Sequence, residues 1–226
     1  MNPFAREVLT WFDQHGRHDL PWQKRGAYVT WISEIMLQQT QVTTVIPYFE
    51  KFVARFPDMA SLAAADVDEV LAHRAGLGYY ARGRNLHKTA QQLRGGELPK
   101  TLTELIELPG IGRSTAGAIM AMGHELYGSI LDGNVKRVLA RHSAESEWPG
   151  STAAQKRLWG LAEQYTPLSR TGDYAQAMMD LGATLCTRSS PKCNQCPIKP
   201  TCAAHHQGLH DAIPHPKPKK AKPSKT

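Results

Sequence analysis

The sequence predicts an all-α fold. Apolar residues recur at three- and four-residue spacing along nearly the whole chain, runs of alternating apolar and polar residues are scarce, and glycine-marked turns separate the periodic segments. With 226 residues, 41% of them hydrophobic, the chain can bury one good core or two small ones.

The elements follow in order. An N-terminal helix opens the chain, and its sequence, MNPFAREVLTWFDQHG, is too polar for the apolar region of a secretory signal. Tyr28 to Phe56 is the longest periodic segment, with Trp31, Ile32, Ile35, Met36, Val42 and Ile46 continuing the stripe from Tyr28. Pro47 is expected to kink or split it, because proline removes a helical donor. Shorter helices are predicted at Leu62–His73, Arg82–Leu93, Leu102–Leu108, Ser114–Met122, Val135–His142, Ala153–Tyr165 and Tyr174–Leu185. Turns fall at Gly76-Leu77-Gly78, Gly95-Gly96, Gly110-Ile111-Gly112 and Asp132-Gly133-Asn134. Two helical lobes are expected: a module over residues 25–129, and a lobe made of 1–24 with 130–212. Residues 213–226, a Pro/Lys run that buries little, read as a disordered tail or linker.

No apolar stretch approaches the ~18 residues that span a bilayer, so a cytoplasmic monomer is expected. The net charge of +7 points to an anionic partner, but Lys217, Lys219, Lys220, Lys222 and Lys225 supply much of it from the tail. Charge alone is therefore weak support for a nucleic-acid partner, and the motifs have to carry that reading.

All four cysteines, Cys186, Cys193, Cys196 and Cys202, share one short segment with the spacing C-x6-C-x2-C-x5-C. In a reducing compartment such convergence points to a metal rather than to disulfides. Only Cys193 and Cys196 form the short knuckle of a zinc module, and four thiolates suit a [4Fe–4S] cluster, with zinc as the alternative. Arg188, Lys192 and Lys199 lie on the same loops, where they meet phosphates or are simply solvated.

Leu108-Pro109-Gly110-Ile111-Gly112 separates two helical patterns and leaves the next helix N-terminus, beginning Arg113-Ser114, with unpaired N–H groups suited to an anion. Gly110, Gly112 and Ser114 are thus candidate contacts to a DNA phosphate, and Ile111 a core anchor; an ordinary turn is the bland alternative. Asp132 lies in a tight turn before a new helix, where it reads either as an N-cap or as a catalytic carboxylate. Glu34, Gln38 and Gln41, at i, i+4 and i+7, are placed on one helical face, read as a pocket wall or else as a solvated face. Apolar neighbours around Glu34 are expected to raise its pKa, as a general acid needs at neutral pH.

These motifs, with Leu20-Pro21-Trp22, the stretch from Trp31 to Val42, Gly76 to Arg82, and Asn134 to Leu139, resemble the catalytic part of the MutY-type adenine DNA glycosylases, in the helix-hairpin-helix, iron–sulfur glycosylase superfamily. The resemblance runs from about residue 10 to about residue 205. It implies a two-lobed fold with a C-terminal [4Fe–4S] loop, and excision of adenine mispaired with 8-oxoguanine or guanine from double-stranded DNA of the bacterial nucleoid. By position, Glu34 would be the general acid, and Asp132 would stabilise the oxocarbenium-like sugar or trap it covalently. Asn134 would orient the sugar side, with an ordinary turn role as its alternative. Arg17, Trp22 and Gln38 would line the substrate pocket, and the site would lie in the cleft between Glu34 and Asp132. Gln39 and Tyr79 would wedge into the duplex where the base has left.

Ser114 stands where strand-cleaving relatives such as endonuclease III carry a lysine, which implies base removal without strand cleavage. Lys136, four residues beyond Asp132, either pairs with that carboxylate or reaches the abasic sugar. Two departures stand out. Arg74 replaces a tryptophan common in the family, and the chain ends where family members continue into a domain that recognises 8-oxoguanine. The rivals are an endonuclease III-like or thymine-mismatch glycosylase, and a non-catalytic, cluster-bearing DNA-binding module.

Overall fold

The structure, a computed structural model, describes residues 1–74, 76 and 80–218. The Gly76-Leu77-Gly78 turn, Tyr79 and most of the tail lysines therefore lie wholly or partly outside the described residues. Helices and turns form all the regular structure among the described residues, in agreement with the all-α expectation.

Helix α1, Pro3–His15, begins where Asn2, in extended backbone, accepts the Ala5 N–H at 2.8 Å. Pro3 fits the first turn, whose N–H groups have no helical partner in any case. The segment predicted as one helix over Tyr28 to Phe56 is two helices, α2 Gly26–Leu37 and α3 Val42–Arg55. The break is not at Pro47. Gln38 leaves helical geometry with ψ 110°, and Gln39 takes the left-handed φ of 63°. Pro47 stays inside α3 because both it and Thr43, whose carbonyl loses its partner, are exposed, so water replaces the missing donor.

Leu62–His73 likewise divides into α4 Met59–Ala64 and α5 Val67–Ala72. Asp66 causes the split by capping a helix of its own, its side chain accepting the Asp68 N–H at 2.7 Å. Then come α6 Tyr80–Gln92, α7 Leu102–Glu107 and α8 Arg113–Ala118, which runs on into a π-helical turn, Ile119–Gly123. Helices α9 Gly133–His142, α10 Thr152–Tyr165 and α11 Thr171–Thr184 follow. Two 3-10 turns and the short α12, Ala203–His206, complete the described chain. No helix among the described residues is long and apolar enough to cross a membrane.

The chain divides into two compact units. A hairpin unit comprises Arg17–Ile130 and Leu168–Ala175; a cysteine unit comprises Met1–Gly16, Leu131–Pro167 and the described residues from Gln176 onward. The hairpin unit is built on the fully buried side chains of Trp31, Phe49, Phe52, Phe56, Leu86 and Leu105. Within it α2 packs on α3, α8 and the π-turn, and the backbones come close: a Cβ on Gly123 would lie 2.6 Å from the Ala27 Cα.

In the cysteine unit, Asn2 also donates to the Tyr165 carbonyl at 3.0 Å. The Phe4 ring stacks on Tyr165 at 4.2 Å and meets His142 edge-on at 4.8 Å, which joins α1, α9 and α10. The Ile213 side chain, at the start of the Pro/Lys run, is buried, and its carbonyl accepts the Arg141 Nε–H at 2.7 Å.

The turn after α9 rests on Glu145, which is 6% exposed and accepts from Arg157 Nε at 2.9 Å and Nη2 at 2.7 Å. These bonds hold the Glu145 carboxyl below its ordinary pKa. With a depressed folded value, the stabilisation is present above the unfolded pKa, roughly 4.3, and is lost as pH falls through the folded one. Arg157→Ala should destabilise the fold at pH 7, because the buried Glu145 carboxylate loses a two-pronged partner. Urea unfolding at pH 7 and again in acid checks this: the loss should shrink as Glu145 protonates, and an equal loss at both pH values would contradict the assignment.

Candidate functional site

Asp132 begins the described chemistry of the cysteine unit. In extended backbone it caps α9, Oδ1 accepting the Val135 N–H at 2.8 Å. Burial pushes the Asp132 pKa up, opposed by the Val135 and Asn134 N–H groups and by the positive charges of Arg137 and Lys136. The N-cap reading is thus met by the geometry, and the cap fixes the carboxylate in place. Lys136 feels Asp132, but burial outweighs that attraction and lowers the Lys136 pKa.

Arg137 and Arg141, one turn apart on the same face of α9, tie this helix to the cysteine segment. Arg137 donates to the Asn134 side-chain oxygen at 2.8 Å, the Gly182 carbonyl at 2.7 Å and the Cys186 carbonyl at 2.7 Å. Arg141, 2% exposed, donates to the Thr187 carbonyl at 2.7 Å, the Arg188 carbonyl at 3.2 Å and the Cys186 sulfur at 3.3 Å. A planar fork with five donors is what such a set of carbonyls requires, and lysine cannot supply it. The sequence reading missed both arginines. Arginine on an amphipathic helix ordinarily reads as solvated, and the available signal was their i, i+4 spacing beside the buried Val138.

Cys186, Cys193, Cys196 and Cys202 line one cavity, together with Val138, Leu185 and Ile198. Burial pushes the Cys196 thiol up to about 12 and raises Cys193 and Cys202 as well. The Arg141 guanidinium donates to the Cys186 sulfur, and the backbone N–H groups of His205 and Ala204 oppose the effect of burial at Cys202. Among the described residues no three His, Cys, Asp or Glu side chains converge on a point that would hold one ion. The thiols instead surround a space. Soft donors arranged in this way, with hydrogen bonds to sulfur, fit a sulfur-ligated cluster.

The remaining candidates belong to the hairpin unit. Glu34 sits half-buried on α2, between buried Ser33 and Ile35. Gln38 and Gln41 do not continue its helical face, since α2 ends at Leu37; this corrects the shared stripe expected from spacing. The Gln38 carbonyl accepts from Arg82 Nη1 at 2.5 Å, while Gln39 is exposed in left-handed backbone. Arg17 is half-buried, and its carbonyl accepts the Gln23 side chain at 2.7 Å. Trp22, 6% exposed, packs edge-on against Phe49 and is part of the core. Tyr79 lies outside the described residues.

Between α7 and α8 the hairpin turns at Gly110, whose φ of 80° favours glycine. Ile111 is 3% exposed, and the Thr89 hydroxyl donates to the Pro109 carbonyl at 3.1 Å, fixing the turn to α6. Gly112 is exposed, a Cβ there would meet nothing within 4 Å, and Ser114 is half-buried on α8. The buried Arg74 guanidinium has its pKa lowered to about 10 by desolvation and by the charge of Arg82.

A stability test follows from Asp132. Its raised folded pKa means that its favourable contribution is present below the unfolded value, roughly 3.9, and is lost as pH rises through the folded value. Asparagine caps a helix as well as aspartate without a charge to bury. Asp132→Asn should therefore raise Tm at pH 7 by about 2–4 °C, roughly 1 kcal/mol for a chain of this size, and the gain should disappear in strong acid. A variant less stable than the parent at pH 7 would contradict the burial account.

Residues 32–164 match the family described as HhH-GPD superfamily base excision DNA repair protein. The chain is 48% identical over 206 residues to the adenine DNA glycosylase of Buchnera aphidicola subsp. Baizongia pistaciae, an alignment that covers 89% of this chain and 58% of that protein. It is 44% identical over 217 residues to the adenine DNA glycosylase of Homo sapiens, covering 90% of this chain and 40% of the human protein. The chain thus spans less than two thirds of the length of these relatives. Among solved structures, a thermostable thymine-DNA glycosylase superposes with a TM-score of 0.81 at 27% identity, over 90% of this chain and 95% of that one. An endonuclease III in a non-covalent DNA complex shares the fold, with a TM-score of 0.73 at 21% identity over 91% of this chain and 94% of that one. The chain belongs to the HhH-GPD superfamily of base excision DNA repair proteins.

Proposed function

We propose that this chain is the catalytic part of an adenine DNA glycosylase, which removes adenine mispaired with 8-oxoguanine or guanine from double-stranded DNA of the bacterial nucleoid and leaves the strand intact. The observation that carries the reading is Asp132: a carboxylate fixed by the α9 N-cap, in a turn about twenty residues beyond a glycine hairpin. Identity of 44–48% to proteins named adenine DNA glycosylase supports adenine as the base.

Adenine leaves poorly until a ring nitrogen is protonated, and its departure puts positive charge on the sugar. Glu34 donates that proton, and Asp132, ionised, stabilises the oxocarbenium-like sugar or bonds to its anomeric carbon until water displaces it, as paired carboxylates do in glycoside hydrolysis. Asn134, oriented by Arg137, positions the sugar side. Gly110, Gly112 and Ser114 bind phosphate at the hairpin. Arg17, Trp22 and Gln38 shape the base pocket, Trp22 from within the core, and Gln39 with Tyr79 fills the stack that the base has left. The four cysteines hold a [4Fe–4S] cluster, which supplies structural cross-linking of the C-terminal segment. Ser114 cannot form an imine with the abasic sugar, so elimination of the phosphate does not follow.

Single-turnover assays on duplexes with adenine opposite 8-oxoguanine or guanine, and thymine opposite guanine, test the reading. Adenine should be released and the strand should break only after alkali. Glu34→Gln and Asp132→Asn should each keep duplex binding and lose release by at least ~100-fold. Ser114→Lys, in a Lys136→Ala background, should gain strand cleavage and become trappable by borohydride. Preferred release of thymine, the base named in the 27% identical structural neighbour, or prompt nicking by the parent protein, would replace this reading with its rival. Purified protein should be yellow-brown and contain iron and acid-labile sulfide; colourless folded protein with stoichiometric zinc would overturn the cluster assignment.

A further inference from the structure

Two further side chains share the cysteine cavity. His205 and His210 line it beside the four cysteines. The Nδ1 atom of each ring is fully buried, and among the described residues neither Nδ1 has a hydrogen-bond partner. The rings face each other at 5.7 Å between centroids, tilted by 49°. The outer edge of His210 turns to Asp211, with Nε2 3.7 Å from Oδ2. His206, next in sequence, differs: it is exposed, and its Nε2 pairs with the Pro200 carbonyl at 2.9 Å. Of the buried nitrogens without a partner among the described residues, those of His205 and His210 are the ones on the cavity wall.

A buried imidazole nitrogen without a partner is unfavourable, so such an atom ordinarily marks a missing group. The wall also carries the four cysteine sulfurs, as acceptors, and the cationic Arg141, Lys192 and Lys199, which offer a ring nitrogen no lone pair. A ring lone pair aimed at thiolate or sulfide is repelled, whereas an N–H is attracted, so an electron-rich sulfur cluster selects the tautomer that carries its proton on Nδ1. We propose that His205 and His210 donate their Nδ1–H groups to sulfur atoms of the cluster held by Cys186, Cys193, Cys196 and Cys202, and thereby raise its reduction potential. The proposal rests on the iron–sulfur reading above. Hydrogen bonds to cluster sulfur stabilise whichever redox state carries more negative charge, which is the reduced one. The Arg141 guanidinium at the Cys186 sulfur acts in the same direction from the opposite chain segment.

The test uses the full chain with its cluster. Iron and acid-labile sulfide are measured first. Electron–nuclear double resonance of the paramagnetic state, with nitrogen-15 histidine and exchange into deuterium oxide, then reads exchangeable protons from histidine. Direct electrochemistry gives the reduction potentials of the parent, His205→Leu, His210→Leu and His205→Asn, whose side-chain N–H stands in for Nδ1–H. The parent should show exchangeable histidine couplings, each leucine variant should shift to a more negative potential, and His205→Asn should return toward the parent value. Full loading with no such coupling, or leucine variants at the parent potential, would overturn this proposal alone. Absence of iron and sulfide would overturn the cluster reading and this proposal together. Should a leucine variant fail to load, the spectrum of the parent protein decides.

Discussion

Two guanidinium groups on one face of α9 are the constraint on which the cysteine unit depends. In the segment from the end of α11 through Arg188, the carbonyls of Gly182, Cys186, Thr187 and Arg188 accept from side chains of α9. Arg137 and Arg141 satisfy these carbonyls. Without them the buried Gly182 and the half-buried Cys186 and Thr187 would lose these partners for their carbonyls, at a cost comparable to a lost hydrogen bond where water cannot replace them. The same helix is capped by Asp132, and Arg137 holds Asn134 within its first turn. One rigid element therefore carries a buried carboxylate at one end and braces a four-thiol cavity along its side.

The hairpin unit is organised differently. Its fixed points are apolar: α2 lies against α8 and the π-turn with Gly123 pressed to Ala27, and Ile111 anchors the glycine turn from inside. A π-turn adds one residue to a helical turn, and such turns recur where a helix must change register near a functional group. Here it follows α8, which carries Ser114, and packs on α2, which carries Glu34. The polar groups Glu34 and Ser114 are thus presented by helices that pack closely on one another.

Much of this was legible from spacing. Helical periodicity gave the all-α class and most helix positions, and the cysteine spacing gave a shared site. What escaped had local physical causes. The break at Gln38 to Gln41 carries no proline or glycine and depends on Gln39 accepting a left-handed backbone, whereas Pro47, the stronger sequence signal, is tolerated on a wet face. Asp66 looked like an ordinary helical residue and acts as a cap. Arg137 and Arg141 read as surface charge, and their value appears only once the carbonyls they meet are placed. Likewise, nothing in His205 or His210 marks them in sequence, because the signal is an unpaired Nδ1 that exists only in the folded cavity.

Helix α9 links the Asp132 cap to the cysteine segment through Arg137. Residue-resolved hydrogen exchange on the cluster-loaded Arg137→Leu variant measures that link, reading the Val135 N–H, which is bonded to Asp132, and the Cys186 N–H, which is bonded to the Leu181 carbonyl. The account predicts that protection falls at both amides together, while those of the hairpin unit keep theirs. Parent-like protection at either amide would contradict it.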